Sequence, residues 1–190
     1  MQPAAIILSV VILAAIVVIA FIWSKRKQSQ KLRENFGPEY DRAVRAAGDP
    51  VRAEKELETR QKRVESFKLR PLSVEDRNRF VVRWQGIQAL FVDEPSRAVQ
   101  EANQMVKDVM QARGYPVGDF QQRAADLSVH YPKLIENYRL AKDCADRNAR
   151  GQTNTEELRK ALVYYRDLFE ELLESRETKQ EKRELQEAIK

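Results

Sequence analysis

The sequence predicts an all-α protein built as a single N-terminal transmembrane helix, a charged connecting helix and a multi-helix bundle. Three observations carry that prediction. Residues 3–23 read PAAIILSVVILAAIVVIAFIW, a run of 21 without a charged side chain. Beyond it, prolines and glycines punctuate the chain at helix-length intervals: Pro38, Pro50, Pro71, Pro95, Pro116 and Pro132 stand at or near the starts of periodic stretches, and Gly37, Gly48, Gly114 and Gly151 close earlier ones. No stretch alternates apolar and polar residues long enough for a strand, and no Asn-Gly or Asp-Gly pair marks a hairpin. The expected divisions are an anchor over 1–23, a basic juxtamembrane segment and charged stalk over 24–70, a bundle domain over 71–173 and a charged helical extension over 174–190.

As a helix the apolar run covers about 31 Å, close to the hydrocarbon thickness of a bilayer. In lipid a helix satisfies every backbone group internally, so β-branched residues that disfavour helix in water are tolerated. Trp23 falls where an interfacial aromatic is expected, and Lys25, Arg26, Lys27, Lys31 and Arg33 follow with no acid among residues 24–33. Flanks rich in Lys and Arg stay in the cytoplasm, which places the N-terminus outside and the body inside. The five bases read as a stop-transfer flank, with recruitment of anionic lipid as the alternative. A cleaved signal peptide ending near Val18-Ile19-Ala20 is the competing reading. Against it, no bases precede the run and the run exceeds an ordinary signal core.

The charge distribution also narrows the partners. The net charge of +5 is contained in those five bases, because the other Lys and Arg match the 29 acids one for one. A neutral body lacks the basic field that phosphate backbones require, so no nucleic-acid partner is expected.

Within the body, PEYDRAVRAA over 38–47 predicts a short helix, and 50–68 a charged one with Asp49 as N-cap and Pro50 at its first position. Its stripe of Ala53, Leu57, Val64 and Phe67 is narrow, as in a mostly solvated stalk or a peripheral arm lying against the core. Ser73 with Asp76 three residues on resembles a capping box. Phe80, Trp84, Ile87 and Phe91 then recur at helical spacing. Further helices are expected over 95–113, 117–129 and 132–150, and a last one from the cap at Thr153-Asn154-Thr155 with Leu158, Leu162, Tyr165, Phe169 and Leu172 in line. Towards the C-terminus Glu170, Glu174, Glu177, Glu181 and Glu184 share a stripe while Arg176, Lys179 and Arg183 share another, so the extension beyond Leu173 gains little from its own side-chain pairs.

The residues for chemistry are few. His130 and Cys144 are single, and no CxxC, HExxH or DxDxDG string occurs, so neither a metal nor a cofactor is expected. A Cys144–His130 dyad requires the fold to bring them together; otherwise Cys144 is a small half-buried helix residue and His130 a loop residue bonded to nearby backbone. Carboxylates alternate with Lys and Arg, as on solvated faces. Arg77, Arg79 and Arg83 beside Phe80 and Trp84 resemble a basic-aromatic recognition patch, but helical spacing favours inward aromatics with a snorkelling edge. Tyr115, Pro116, Tyr131 and Pro132 are the candidate recognition loops, or else caps on the bundle.

The strings KLRENFGPEYDRAV (31–44), RGYPVGDFQQRAADLSVHYP (113–132) and LIENYRLAKD (134–143) resemble a family of uncharacterised bacterial proteins with a hydrophobic N-terminal segment and a helical domain. The resemblance covers about 31–173. It implies a bacterial origin and the same architecture, and it carries no activity, cofactor or catalytic residue.

The function expected is therefore non-enzymatic: an interaction or adaptor protein tethered to the bacterial inner membrane, with its body in the cytoplasm. Its partners are the membrane and either another protein or a second copy, with no small-molecule substrate identified. The 50–68 helix and the 174–190 extension are the surfaces left for a partner. The alternatives are a secreted or periplasmic binding domain released by cleavage and, third, an enzyme with an unrecognised site.

Overall fold

The computed structural model describes residues 3–174, with the side chains of 3–11, 14 and 15 outside that description. Beyond Glu174, the extension expected over 174–190 lies outside the described residues. Those residues form eight helices and no strand: α1 (Pro3–Phe36), α2 (Pro38–Ala47), α3 (Pro50–Glu65), α4 (Val74–Asp93), α5 (Pro95–Ala112), α6 (Phe120–Ser128), α7 (Ile135–Asn148) and α8 (Thr155–Leu173). The all-α expectation holds. Among the described residues no helix is long and apolar enough to cross a membrane.

By its internal contacts the chain divides between Glu58 and Thr59, inside α3. In the first unit α1 continues unbroken from the apolar run through the five bases, a rod of 34 residues and about 51 Å. It stops at Gly37, whose φ of +47° is open to glycine at little cost, and Pro38 begins α2. Leu32, Phe36, Tyr40, Ala43, Ala53 and Leu57 are the buried apolar residues. Glu54 of α3 is an acceptor shared by the Ser29 hydroxyl at 2.5 Å and the Tyr40 hydroxyl at 2.9 Å, and Gln28 donates to Glu58. Asp49 accepts from the amides of Val51 and Arg52, the capping arrangement its sequence position foretells.

The second unit is the bundle. At its centre α5 buries Ala98, Val99, Ala102, Met105, Val106, Val109 and Met110, and packs against α4, α7 and α8. Alanines and valines suit a helix with neighbours on three sides, because short side chains let backbones approach. From α4, Phe80, Trp84 and Ile87 face the core, and the Trp84 ring stacks on Phe169 of α8 with centroids 5.0 Å apart. Ser73 caps α4 by accepting from the Asp76 amide, and α8 starts on a full capping box of Asn154 and Glu157. The arginines of α4 lie as the edge reading expects: Arg83 bonds Asp108 at 2.5 Å, and Arg79 covers Phe80 at 5.6 Å from the ring centroid.

Three local expectations change. The helix expected over 117–129 is confined to Phe120–Ser128, started by the Asp119 side chain on the Gln122 amide. The helix expected from Pro132 starts at Ile135 instead. Before it, the amides of His130 and Tyr131 both bond Leu127 O and the Leu134 amide bonds Tyr131 O, so the segment is committed to turns. The helix expected over 50–68 ends at Glu65, where the Ser66 hydroxyl and amide both return to Arg63 O.

The end of α3 is tied to α6, as a peripheral arm against the core would be. Arg63 Nε donates at 3.1 Å to Asp126, a fully buried carboxylate on α6 that also accepts from Gln122 at 2.8 Å, and Arg60 donates to Ser128 at 3.4 Å. Removing the partner of a buried charge leaves its desolvation uncompensated. Arg63→Met is accordingly expected to cost about 3 kcal/mol in urea unfolding, and Arg63→Met with Asp126→Leu distinctly less than the sum of the single changes. Additive costs would mean that the pair does not act as a unit.

Candidate functional site

The fold brings the two Tyr-Pro segments together at one end of the bundle, and there it spends them on architecture. Tyr115 is buried, its hydroxyl 2.6 Å from His130 Nδ1 and its ring edge-on to Phe67. Tyr131 is half-buried, and its hydroxyl accepts from Arg113 at 3.0 Å. The same guanidinium group donates to the carbonyl oxygens of Leu172 at 3.0 Å and Glu174 at 3.3 Å. A buried cation thereby closes the C-terminal end of α8, where unpaired carbonyls and the helix dipole favour positive charge. Tyr115 and Tyr131 are thus tied through their hydroxyls to the end of the bundle, as the capping alternative expects. Pro116 is exposed and Pro132 half-buried beside them. Arg113 is the residue that sequence reasoning missed. A cation one position before Gly114-Tyr115 looks like any other charge at a helix end until α8 is folded against it.

Gly114 makes this junction possible. Its φ is +86°, and a Cβ there would stand 2.5 Å from the Lys68 carbonyl oxygen. That strand-free segment is held alongside by the Arg70 amide on Arg113 O at 3.0 Å and by Arg70 Nε on Ala112 O at 2.9 Å.

His130 and Cys144 are engaged in different surroundings. Cys144, on α7, lines an open groove of about 280 Å³ between α7 and α8 with Asp143, Arg147, Glu157 and Lys160, and His130 is not among the lining residues. Burial pushes the Cys144 thiol upward, so it is held in the protonated, weakly nucleophilic form. Arg147 bridges Glu157 at 2.7 Å and Asp143 at 3.0 Å; it and the Asn154 amide hold the Glu157 carboxyl below the usual range. These charges answer one another and tie α7 to the start of α8. Among the described residues no group of three or more His, Cys, Asp and Glu is placed to hold a metal ion.

Deeper in the bundle the Tyr138 and Tyr165 rings meet edge-on with centroids 6.2 Å apart, and burial raises both phenols, opposed at Tyr138 by Arg123. An acid whose folded pKa is raised leaves stability intact below its unfolded pKa, which is 10.0 for tyrosine. As pH rises beyond that value the unfolded chain ionises first and stability falls. Tyr165→Phe is expected to flatten this alkaline loss between pH 10 and the folded pKa, read as urea midpoints against pH. An unchanged alkaline slope would place the loss elsewhere.

On α1, Trp23, Lys25, Arg26, Lys27 and Lys31 are exposed, with 74% of Trp23 accessible. Arg33 differs in lying 3.6 Å from Asp41 and over the Tyr40 ring at 5.4 Å, so it also ties α1 to α2. The class these features define is an all-α bundle whose polar clusters join its own helices. Compared with known protein families, curated proteins and solved structures, the chain has no match.

Proposed function

We propose that the chain is a membrane-tethered helical interaction protein, anchored once by residues 3–23 in a bacterial inner membrane, with its N-terminus outside and its bundle in the cytoplasm. The observation that carries this reading is the charge distribution: 21 uncharged residues, five bases directly after them, and a neutral body. Exposure of Trp23 and of the bases along one continuous α1 agrees with it, because a helix passing from lipid to water presents its aromatic and cationic residues at the boundary. His130 is bonded to Tyr115 and the charges around Cys144 tie α7 to α8, while burial keeps the Cys144 thiol protonated, which supports an adaptor over an enzyme. Confinement beside a bilayer raises the effective concentration of any partner anchored in the same sheet, so such a domain works with weak contacts.

Membrane fractionation of the full chain together with reporter fusions after Lys190 tests the proposal. The chain is expected in the inner-membrane fraction with its N-terminus intact. A phosphatase active only outside the cytoplasm is expected to be silent and a fluorescent protein bright. Moving the five bases ahead of Pro3 is expected to reverse both reporters. A mature chain beginning near Phe21 in the periplasm or medium would replace the anchor with the secreted reading.

A further inference from the structure

We propose that the outward face of α4 is a self-association surface, on which a second copy of the chain packs its own α4 antiparallel about a two-fold axis at Gly86. The partner identified in this way deepens the tethered-interaction reading and rests on it, because one helix pair is too small an interface to hold two copies together without shared anchoring.

The face is unusual for this molecule. One residue in three of the chain is charged, and α7 and α8 expose Glu136, Asp143, Asp146, Glu156, Arg159, Lys160 and Glu170. On α4, Asn78, Val82, Gln85, Gly86, Ala89 and Val92 are all exposed and none is charged; Val82 is 66% accessible and Val92 82%. Asn78, Val82, Gln85, Ala89 and Val92 repeat at alternating steps of four and three, the seam by which one helix meets another. Phe80, Trp84 and Ile87 already face the core from the opposite side, so this seam is not needed for the bundle's own packing.

Charge names the occupant. Arg79, Gly86 and Asp93 stand seven residues apart, so all three run down one edge of the seam, basic at one end and acidic at the other with glycine midway. Turning a second α4 about a two-fold at Gly86 sets each Arg79 opposite the partner copy's Asp93, twice over. A parallel pair would set this edge against the opposite edge of the partner and bring neither charge to its complement. The present neighbour of Arg79 is Asp76, 2.8 Å away on the same exposed turn, a pair weak enough to exchange. Gly86 has nothing within 4 Å of where a Cβ would sit, so the midpoint has no side chain of its own to hold the helices apart. The pairing is isologous and closes at two copies.

The test is thiol crosslinking of the full chain in native membranes, in a Cys144→Ser background that removes the single native thiol. Gly86→Cys places a thiol at the proposed axis without filling occupied space, and Arg159→Cys on the exposed face of α8 serves as control. With a short bismaleimide, Gly86→Cys is expected to yield at least about tenfold more dimer than the control, as confinement to one surface predicts for a specific contact. Co-expressed Arg79→Cys and Asp93→Cys chains are expected to crosslink to each other in preference to themselves. Arg79→Asp and Asp93→Arg, each combined with Gly86→Cys, are expected to lower the dimer yield severalfold, and the two together to restore it.

A Gly86→Cys yield no higher than the control, in membranes that contain the chain, would overturn the pairing while leaving the tether intact. So would an adduct whose mass is not twice that of the chain, which would put another protein on the seam. Preferential Arg79→Cys self-crosslinking would overturn the antiparallel arrangement. Absence of the chain from the membrane fraction would instead overturn the tether, independently of the crosslinks.

Discussion

Replacing Trp84 with alanine is expected to lower the stability of the bundle by about 3–5 kcal/mol, the range for a large aromatic removed from a packed core. The indole is almost fully buried, stacked on Phe169 at 5.0 Å with planes 23° apart, and it joins α4 to α8 within the same core cluster as the buried face of α5. Its loss therefore opens a cavity between three helices that are fixed by other contacts and collapse only in part. Trp84→Phe, which keeps a ring against Phe169, is expected to recover more than half of the loss. Equilibrium urea unfolding of the two variants reads the difference. A cost below about 1 kcal/mol would place the indole at the surface and restore a recognition role to the arginine-flanked edge.

The second large effect is expected at Gly114. An alanine there must hold a φ of +86°, costing about 1–2 kcal/mol for the left-handed region alone. It must also displace the Lys68 carbonyl from 2.5 Å, and that oxygen belongs to backbone held alongside by Arg70. The combined loss is put at about 3 kcal/mol or more, because neither relief is available without breaking the other contact. The signature is local as well as global. The Arg113 guanidinium sits next to Gly114 in sequence, so hydrogen exchange at the end of α8 is expected to accelerate in Gly114→Ala more than at the α4–α5 turn. Gly86→Ala, a glycine at ordinary helical φ with open space beside it, is the matched control and is expected to be neutral or slightly stabilising. Equal losses at the two sites would show that the positive φ and the Lys68 contact are not the cause.

How much of this was legible beforehand depends on the range of the interaction concerned. Helix starts were readable where a side chain bonds an amide two or three residues on, as at Asp49, Ser73 and Asn154. The four glycines expected to close helices, Gly37, Gly48, Gly114 and Gly151, are the four with positive φ among the described residues. The inward faces of α4, α5 and α8 followed from apolar spacing, since a 3.6-residue period maps directly onto one side of a helix. Each of these is settled within about one or two turns of chain.

Pairings across tens of residues were not legible, and the structure settled them. Asp126 is one of 29 acids until Arg63, far back in the sequence, meets it in the interior. Arg113 becomes a helix cap only when the carbonyls of Leu172 and Glu174 are delivered to it. Tyr115 and Tyr131 could be read as recognition loops or as caps, and the partners of their hydroxyls, His130 and that same arginine, are delivered only by the fold. A buried polar group is stable only where its partners are, and partner positions are properties of the assembled helices. The even charge along most of the body left the outward face of α4 without notice for the same reason: which side of an amphipathic helix faces solvent is a local matter, whereas which solvent-facing side lacks charge is seen only once all the helices are in place. Composition and periodicity thus decided the class of fold and the site of the apolar run. Tertiary packing decided what the singled-out side chains are for, because burial and pairing depend on neighbours that sequence order does not name.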